Sequence, residues 1–354
     1  MENIMALETM KEGHDGSGLG LIFKDLGGVF EDLKNYPILS GIFSDRGLAL
    51  LDDYMKGAGF EVKSVWVPKI TPVPGMIRRD HYIAKAYDYP DTHKERPWIE
   101  KEGLLTKTRL ALRQLGEPDK SMFVFSFYPD VLTLKEVGDP LALAKFFNLD
   151  NDELSARIIM AQGRQNTNYD IYLYACHPFF LQGYGTMTNG ENTAFIPIKE
   201  FLASRGNPAY SGYNSDSEVF THILHYTHHT LKYPLTYYKD VITPLSNGEI
   251  DNRPESDVLR LIKRALRPLC IDGPNITIGF TPDGSLFMVQ DSKKLRPGVV
   301  GGYPGKYALM SEECGLDSVV PDRDRSKDIY PMKYDMVIVS SGAAEVRSWN
   351  QLLG

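Results

Sequence analysis

The residues best suited to chemistry in this chain are polar groups that ordinary packing does not ask for. They form four short runs: Gly163-Arg164-Gln165-Asn166-Thr167-Asn168, His177-Pro178-Phe179, Thr188-Asn189-Gly190-Glu191-Asn192 and Ser215-Asp216-Ser217-Glu218. Each falls at the end of an expected strand or helix. Arg164 can hold a carboxylate with two parallel hydrogen bonds, and Asp216 near a helix N-terminus can receive an ammonium, so together they fit the two ends of a free amino acid. Asn189 adds an amide donor and Gly190 an unhindered backbone N–H, the pair of donors that an oxyanion hole needs. Taken singly, each run has a plainer explanation: Asn-Gly makes hairpin turns, and Ser-x-x-Glu caps helices.

Other motifs fail on context. The run Gly16-Ser17-Gly18-Leu19-Gly20 looks like a dinucleotide loop, but such a loop leaves a strand and opens a helix, and here an expected helix precedes it and a strand follows. His222, His225, His228 and His229 share one expected helix, with His225 and His229 spaced i, i+4. Tyr226 and Thr227 stand where a zinc-hydrolase helix needs its glutamate, and no third ligand is evident, so they read as packed or solvated helix histidines. Asp150, Asp152 and Glu153 lack the central glycine and later glutamate of a calcium loop and read as a helix start.

Composition narrows the class. With 39 basic against 46 acidic side chains the net charge is −7, the opposite of the positive excess that marks a nucleic-acid surface. At 42% hydrophobic, 11% aromatic and 24% charged, the 354 residues can bury a large globular core. Cys176, Cys270 and Cys314 are too few and too scattered for a disulfide framework, and no CxxC pair exists to hold zinc or an iron–sulfur cluster, which points to a reducing cytoplasm. The N-terminal residues carry charges and no apolar h-region, and nowhere does the chain approach about 18 consecutive apolar residues, so neither secretion nor membrane spanning is expected.

The elements that must position these residues follow from periodicity and turn signals. We expect a helix up to about residue 10, strands over 19–23 and 29–33, a helix over 46–58, strands over 60–67 and 81–87, a helix over 98–115 and a strand over 122–127. Further strands are expected over 156–162, 171–175 and 184–188. A helix begins at Ser215, capped through Glu218, and runs to about Leu231; another covers 254–266. A hairpin pairs 276–280 with 285–291 around Thr281-Pro282-Asp283-Gly284, and the last strand covers 336–339. Hairpins and short strands between helices favour antiparallel sheets, because a parallel sheet needs a crossover at every step.

In order along the chain, six motifs resemble the glutaminase domain of class II glutamine amidotransferases, the N-terminal-nucleophile type, in the form attached to glutamate synthase. They are Glu12-Gly13-His14-Asp15, Gln162-Gly163-Arg164-Gln165-Asn166-Thr167, Cys176-His177-Pro178-Phe179, Thr188-Asn189-Gly190-Glu191, Ser215-Asp216-Ser217-Glu218 and Ser311-Glu312-Glu313-Cys314-Gly315-Leu316. The stretch Asp291 to Pro297 also looks like that family's arginine-proline segment. The resemblance covers residues 5 to 340 apart from 45–155, a stretch smaller members lack, and implies one amidotransferase domain over 1–354 with an α/β subdomain inserted at 45–155. It implies an α+β fold, a four-layer α/β/β/α sandwich of mainly antiparallel sheets. Arg164 and Thr167 would hold the glutamine α-carboxylate, Asp216 its α-ammonium, and Asn189 with Gly190 the oxyanion. His177 would shape the pocket wall.

The family's nucleophile is a cysteine at the start of the mature chain, with its own α-amino group as base. This sequence begins with Met1, so the resemblance implies a cysteine preceding it. Glu12 and Gln162 replace a family arginine and histidine, and Cys176 stands at an alanine position as a small buried residue. The function expected is a glutaminase subunit passing ammonia to a separate glutamate-synthase-like subunit, with FMN and an iron–sulfur cluster on that partner and no cofactor or metal on this chain. The alternatives are a glutamine-binding or scaffold subunit without activity, and an amidotransferase serving another acceptor.

Overall fold

The computed structural model describes residues 1–10, 18–163, 173–207 and 215–350. It mixes helices with antiparallel sheets, and the chain falls into two compact units, Met1–Gly183 and Tyr184–Gly354. The expected residues Glu12 to Asp15 and Gln165 to Asn168, with Arg164 and Thr167 among the site residues, lie outside the described residues.

In the first unit the helix Glu2–Thr9 precedes β1 (Leu19–Gly28) and β2 (Pro37–Phe43). The helix Asp45–Gly57, β3 (Glu61–Trp66), β4 (His81–Asp88), the helix Trp98–Gly116, β5 (Met122–Pro129) and β6 (Val131–Glu136) follow. The helix Pro140–Phe146, β7 (Leu154–Gly163) and β8 (Phe179–Leu181) complete it. One sheet has the order β6-β1-β7 and another β3-β4-β2-β5. The segment 45–155 therefore contributes β4 and β5 on either side of β2 and sets β6 against β1.

Every residue of β2 is buried, because successive side chains on a strand point to opposite faces and both faces are covered. Ile38 and Ile42 join a core with Leu21, Phe23 and Leu132 of the β6-β1-β7 sheet. Leu39 and Phe43 face the other way, into a core with Leu51 and Met55 of the helix Asp45–Gly57 and Leu105 and Leu112 of the helix Trp98–Gly116. The four-stranded sheet is thus sandwiched between the three-stranded sheet and these two helices. Ser44 caps the first of them, its hydroxyl accepting from the Gly47 N–H at 3.1 Å.

In the second unit β9 (Tyr184–Gly190), β10 (Asn275–Phe280), β11 (Leu286–Gln290), β12 (Val299–Tyr303), β13 (Lys306–Met310), β14 (Asp335–Val339) and β15 (Val346–Asn350) are interleaved with helices. The main ladder runs β15-β14-β11-β10-β9, and β12 pairs with β13. Phe287, Val289 and Met336 face a helical core with Val219, Phe220, Ile223, Ile242 and Ile262. On the opposite face Ile276, Ile278, Met288 and Val337 pack under Val300 and Leu309 of the β12–β13 hairpin.

Several sequence expectations are corrected. The strand expected over 29–33 is a single helical turn, Glu31–Leu33: Gly28 takes a left-handed φ of +60° and ends β1, and Phe30 and Leu33 reach the same core three residues apart. In place of the strand expected over 171–175, Leu173–Ala175 forms a 3-10 turn, since a short run of buried apolar residues reads alike as strand or turn. The helix expected from Ser215 starts at Glu218, and its second half, His225–Thr230, is π-helical. Within this stretch the Thr227 hydroxyl donates back to the carbonyls of Ile223 and Leu224 at 2.8 and 3.2 Å, a bond pattern that competes with regular helix geometry. β14 is not the last strand, because β15 adds to its outer edge.

The buried Arg109 couples the helix Trp98–Gly116 to the sheet, donating to the carbonyl oxygen of Phe180 at 2.9 Å and to that of Phe125. Arg109→Ala should lower the urea midpoint of unfolding by an amount worth about 2–4 kcal/mol, because two buried carbonyls lose a charged donor and a cavity opens. A midpoint within ~0.5 kcal/mol of wild type would show that this contact holds nothing together.

Candidate functional site

Within the second unit, the sequence-predicted residues converge where β9 ends. Asn189 and Gly190 are its last two residues, in register with Ile276 and Asn275 of β10. Gly190 is obligatory here: its φ is +151°, and a Cβ would lie 2.2 Å from the carbonyl oxygen of Pro274. The chain that follows is tied down by the Glu191 N–H to Pro274 O and the Thr193 N–H to Asp272 O, both at 3.2 Å. Thr193 Oγ1 also donates to Asp272 Oδ2 at 2.7 Å.

This trajectory carries the Asn192 N–H onto Asp216, whose Oδ2 accepts it at 2.8 Å. Ser217 Oγ donates to the other carboxylate oxygen at 3.3 Å. Among the described residues Asp216 is thereby oriented by two neutral donors, one on each carboxylate oxygen. The capping box expected at Ser215 and Glu218 is not made. Ser215 Oγ accepts from the Ser217 N–H at 3.2 Å, and the Glu218 carboxylate turns along the helix to His222.

In the first unit, His177 is buried, its Nδ1 2.9 Å from Gln162 Oε1 and its ring 4.9 Å from that of Phe179. An amide oxygen only accepts, so Nδ1 carries the proton. Gln162 sits on β7 opposite Gly20 of β1. Cys176 is 0% exposed, and its Sγ fills the space that a Cβ on Gly18 would need, consistent with a packing role.

The four helix histidines are all engaged in packing or hydrogen bonds. Among the described residues no group of three or more His, Cys, Asp or Glu side chains is arranged to hold a metal ion. His225 and His229 stack with centroids 4.5 Å apart and planes 25° from parallel, and His228 Nδ1 lies 2.8 Å from the Tyr184 hydroxyl. Burial, reinforced by His229, His222 and Lys232, pushes the His225 pKa down to about 2. Two contacts at these sites escape sequence reasoning: Asn192, named within a polar run, acts on Asp216 through its main chain, and Asn207, which bridges His222 and His225, belongs to no motif.

No family model matches this sequence. It is 24% identical over 318 residues to an uncharacterized protein of Archaeoglobus fulgidus, covering 88% of this chain and 81% of the other. Among solved structures it is similar to a glutamine phosphoribosylpyrophosphate amidotransferase from B. subtilis at 16% identity and a TM-score of 0.40. That match covers 63% of this chain, which spans 41% of that chain's length. A glutamine aminotransferase class-II domain protein from Silicibacter pomeroyi is 12% identical with a TM-score of 0.33, over 94% of this chain and 99% of that one. No described helix is long and apolar enough to cross a membrane.

The depressed His225 pKa has a defined sign for stability. The unfolded chain takes up a proton near pH 6.5 that the folded chain refuses until about pH 2, so stability is complete above that range and falls as pH drops through it. Wild-type protein should lose about 2 kcal/mol between pH 7 and pH 5 that His225→Phe retains, measured by denaturant unfolding at both pH values. Identical pH dependence in the two proteins would place the lost stability elsewhere.

Proposed function

We propose that this chain is the glutaminase component of a class II glutamine amidotransferase, with the N-terminal-nucleophile fold of a four-layer α/β/β/α sandwich. The observation that carries the reading is the 2.8 Å bond from Asn192 to Asp216, two residues beyond the Asn189–Gly190 pair. It ties Asp216, read here as the ammonium acceptor, to the chain that leaves Asn189 and Gly190, read here as the oxyanion donors.

In this reading Asp216 receives the α-ammonium of glutamine, and Arg164 with Thr167 the α-carboxylate. His177 forms part of the pocket wall, its ring orientation set by Gln162. The thiolate of an N-terminal cysteine attacks the side-chain amide carbon, and the Asn189 amide and Gly190 N–H stabilise the oxyanion. Collapse with protonation of the leaving nitrogen releases ammonia, and water then cleaves the glutamyl thioester to glutamate. The ammonia acceptor belongs to a separate glutamate-synthase-like subunit in the cytoplasm, where FMN and an iron–sulfur cluster reside.

The test is covalent labelling of the native protein with a diazo-ketone analogue of glutamine, followed by peptide mapping. A label on an N-terminal cysteine supports the glutaminase. Asp216→Asn should then weaken glutamine protection against the label about 10- to 100-fold, the worth of one charged hydrogen bond. A label on Cys176 would overturn the assignment of the nucleophile. No label on a chain that still binds glutamine would make it a binding subunit of such a complex, a reading favoured by Gln162 standing at the family's histidine position.

A further inference from the structure

The helix that follows Asp216 contains a chain of buried polar groups that the proposed function does not use. His222, 1% exposed, has an oxygen on each ring nitrogen: Asn207 Oδ1 lies 2.5 Å from Nδ1, and Glu218 Oε1 lies 3.1 Å from Nε2. The other end of the same amide, Asn207 Nδ2, lies 3.4 Å from Nδ1 of His225. The far nitrogen of His225, Nε2, is buried without a hydrogen-bond partner. The His225 ring is held in place by His229 stacked on its face and by Tyr184 edge-on at 5.7 Å and 89°.

The proton count of this chain is constrained. An amide oxygen and a carboxylate both accept, so with Asn207 in this orientation the Glu218–His222 pair must hold one proton more than a carboxylate beside a neutral imidazole. The simplest form is an imidazolium donating from Nδ1 to Asn207 and from Nε2 to Glu218. Asn207 Nδ2 then donates to His225 Nδ1, which fixes His225 as the Nε2–H tautomer and leaves a buried donor unpartnered.

Loss of one proton to solvent removes the hydrogen on His222 Nδ1 and leaves two acceptors facing each other. Turning the Asn207 amide over restores the bonds without moving its heavy atoms to new sites, because oxygen and nitrogen exchange places. Asn207 Nδ2 then donates to His222 Nδ1, and Asn207 Oδ1 accepts from His225 Nδ1. His225 must now be the Nδ1–H tautomer, with a lone pair on Nε2.

We propose that Glu218, His222, Asn207 and His225 form a proton-controlled switch, in which protonation of the Glu218–His222 pair sets, through the Asn207 amide, whether His225 Nε2 is a donor or an acceptor. Among the described residues, His229 lies on the same helical segment as His225 and Lys232 just past its end, Tyr184 comes from β9, and Asp283 from the β10–β11 turn faces His228 behind them. His225 itself stays neutral throughout, in keeping with its burial. The switch is independent of the glutaminase reading, since no step of it involves glutamine.

The experiment is NMR of the full chain with ring-15N histidine, titrated from about pH 5 to about pH 9, where each imidazole nitrogen reports whether it carries a proton. Resonances are assigned with His225→Gln and His222→Gln. The expected result is a change of His225 from Nε2–H to Nδ1–H with the same midpoint as loss of the His222 Nδ1 proton. In Asn207→Ala the His225 tautomer should stop following His222. A His225 that keeps one tautomer across the range overturns the proposal, whether or not His222 titrates, as does a shared midpoint that survives in Asn207→Ala. Should that variant fail to fold, the wild-type titration decides alone.

Discussion

Everything at the end of β9 depends on how tightly the chain after Gly190 is pressed against the segment before β10. Main-chain bonds from Glu191 and Thr193 to Pro274 and Asp272 leave no room for a side chain at Gly190. They also aim the Asn192 N–H at Asp216. A backbone donor is well suited to this task, because it has no rotamers to lose and cannot be deprotonated. The carboxylate is positioned by main chain that the sheet itself immobilises, so the two kinds of ligand-binding group proposed here share one rigid support.

The first unit solves a different problem, the placement of a strand with no solvent-facing side. β2 sends Ile38 and Ile42 into one core and Leu39 and Phe43 into another, so a single strand belongs to two hydrophobic layers at once. Between those layers the polar pair Ser40 and Ser126 is satisfied internally, its hydroxyls 2.6 Å apart. Burying both together avoids the penalty that either would incur alone.

Much of this was legible in the sequence wherever one periodicity dominated. The helices Asp45–Gly57 and Trp98–Gly116 and the β10–β11 hairpin match their expected ranges to within a residue or two. β2 escaped because a strand buried on both sides has no alternation to read, and its Pro37, Ser40 and Gly41 interrupt even the apolar run. The β12–β13 hairpin escaped for a similar reason, since Gly301 and Gly302 dilute its pattern. Asn189, Gly190 and Asp216 stand out in the sequence because their residue types are unusual for their places. The carboxylate's backbone partner and the bridging amide of Asn207 do not, because a hydrogen bond across distant segments leaves no spacing in the chain.

The wide turn at His225–Thr230 has a bearing on comparison between sequences. A π-helical turn carries one residue more than an α-helix needs to join the same two ends. A homologue whose helix stayed α-helical throughout would align with a single-residue gap inside an otherwise unbroken helix, a place where alignments ordinarily refuse one. Forcing the two sequences together without the gap would rotate every later residue by about 100° around the helix and pair His228 and His229 with the wrong positions. The histidines would then look variable when the real difference is one inserted residue.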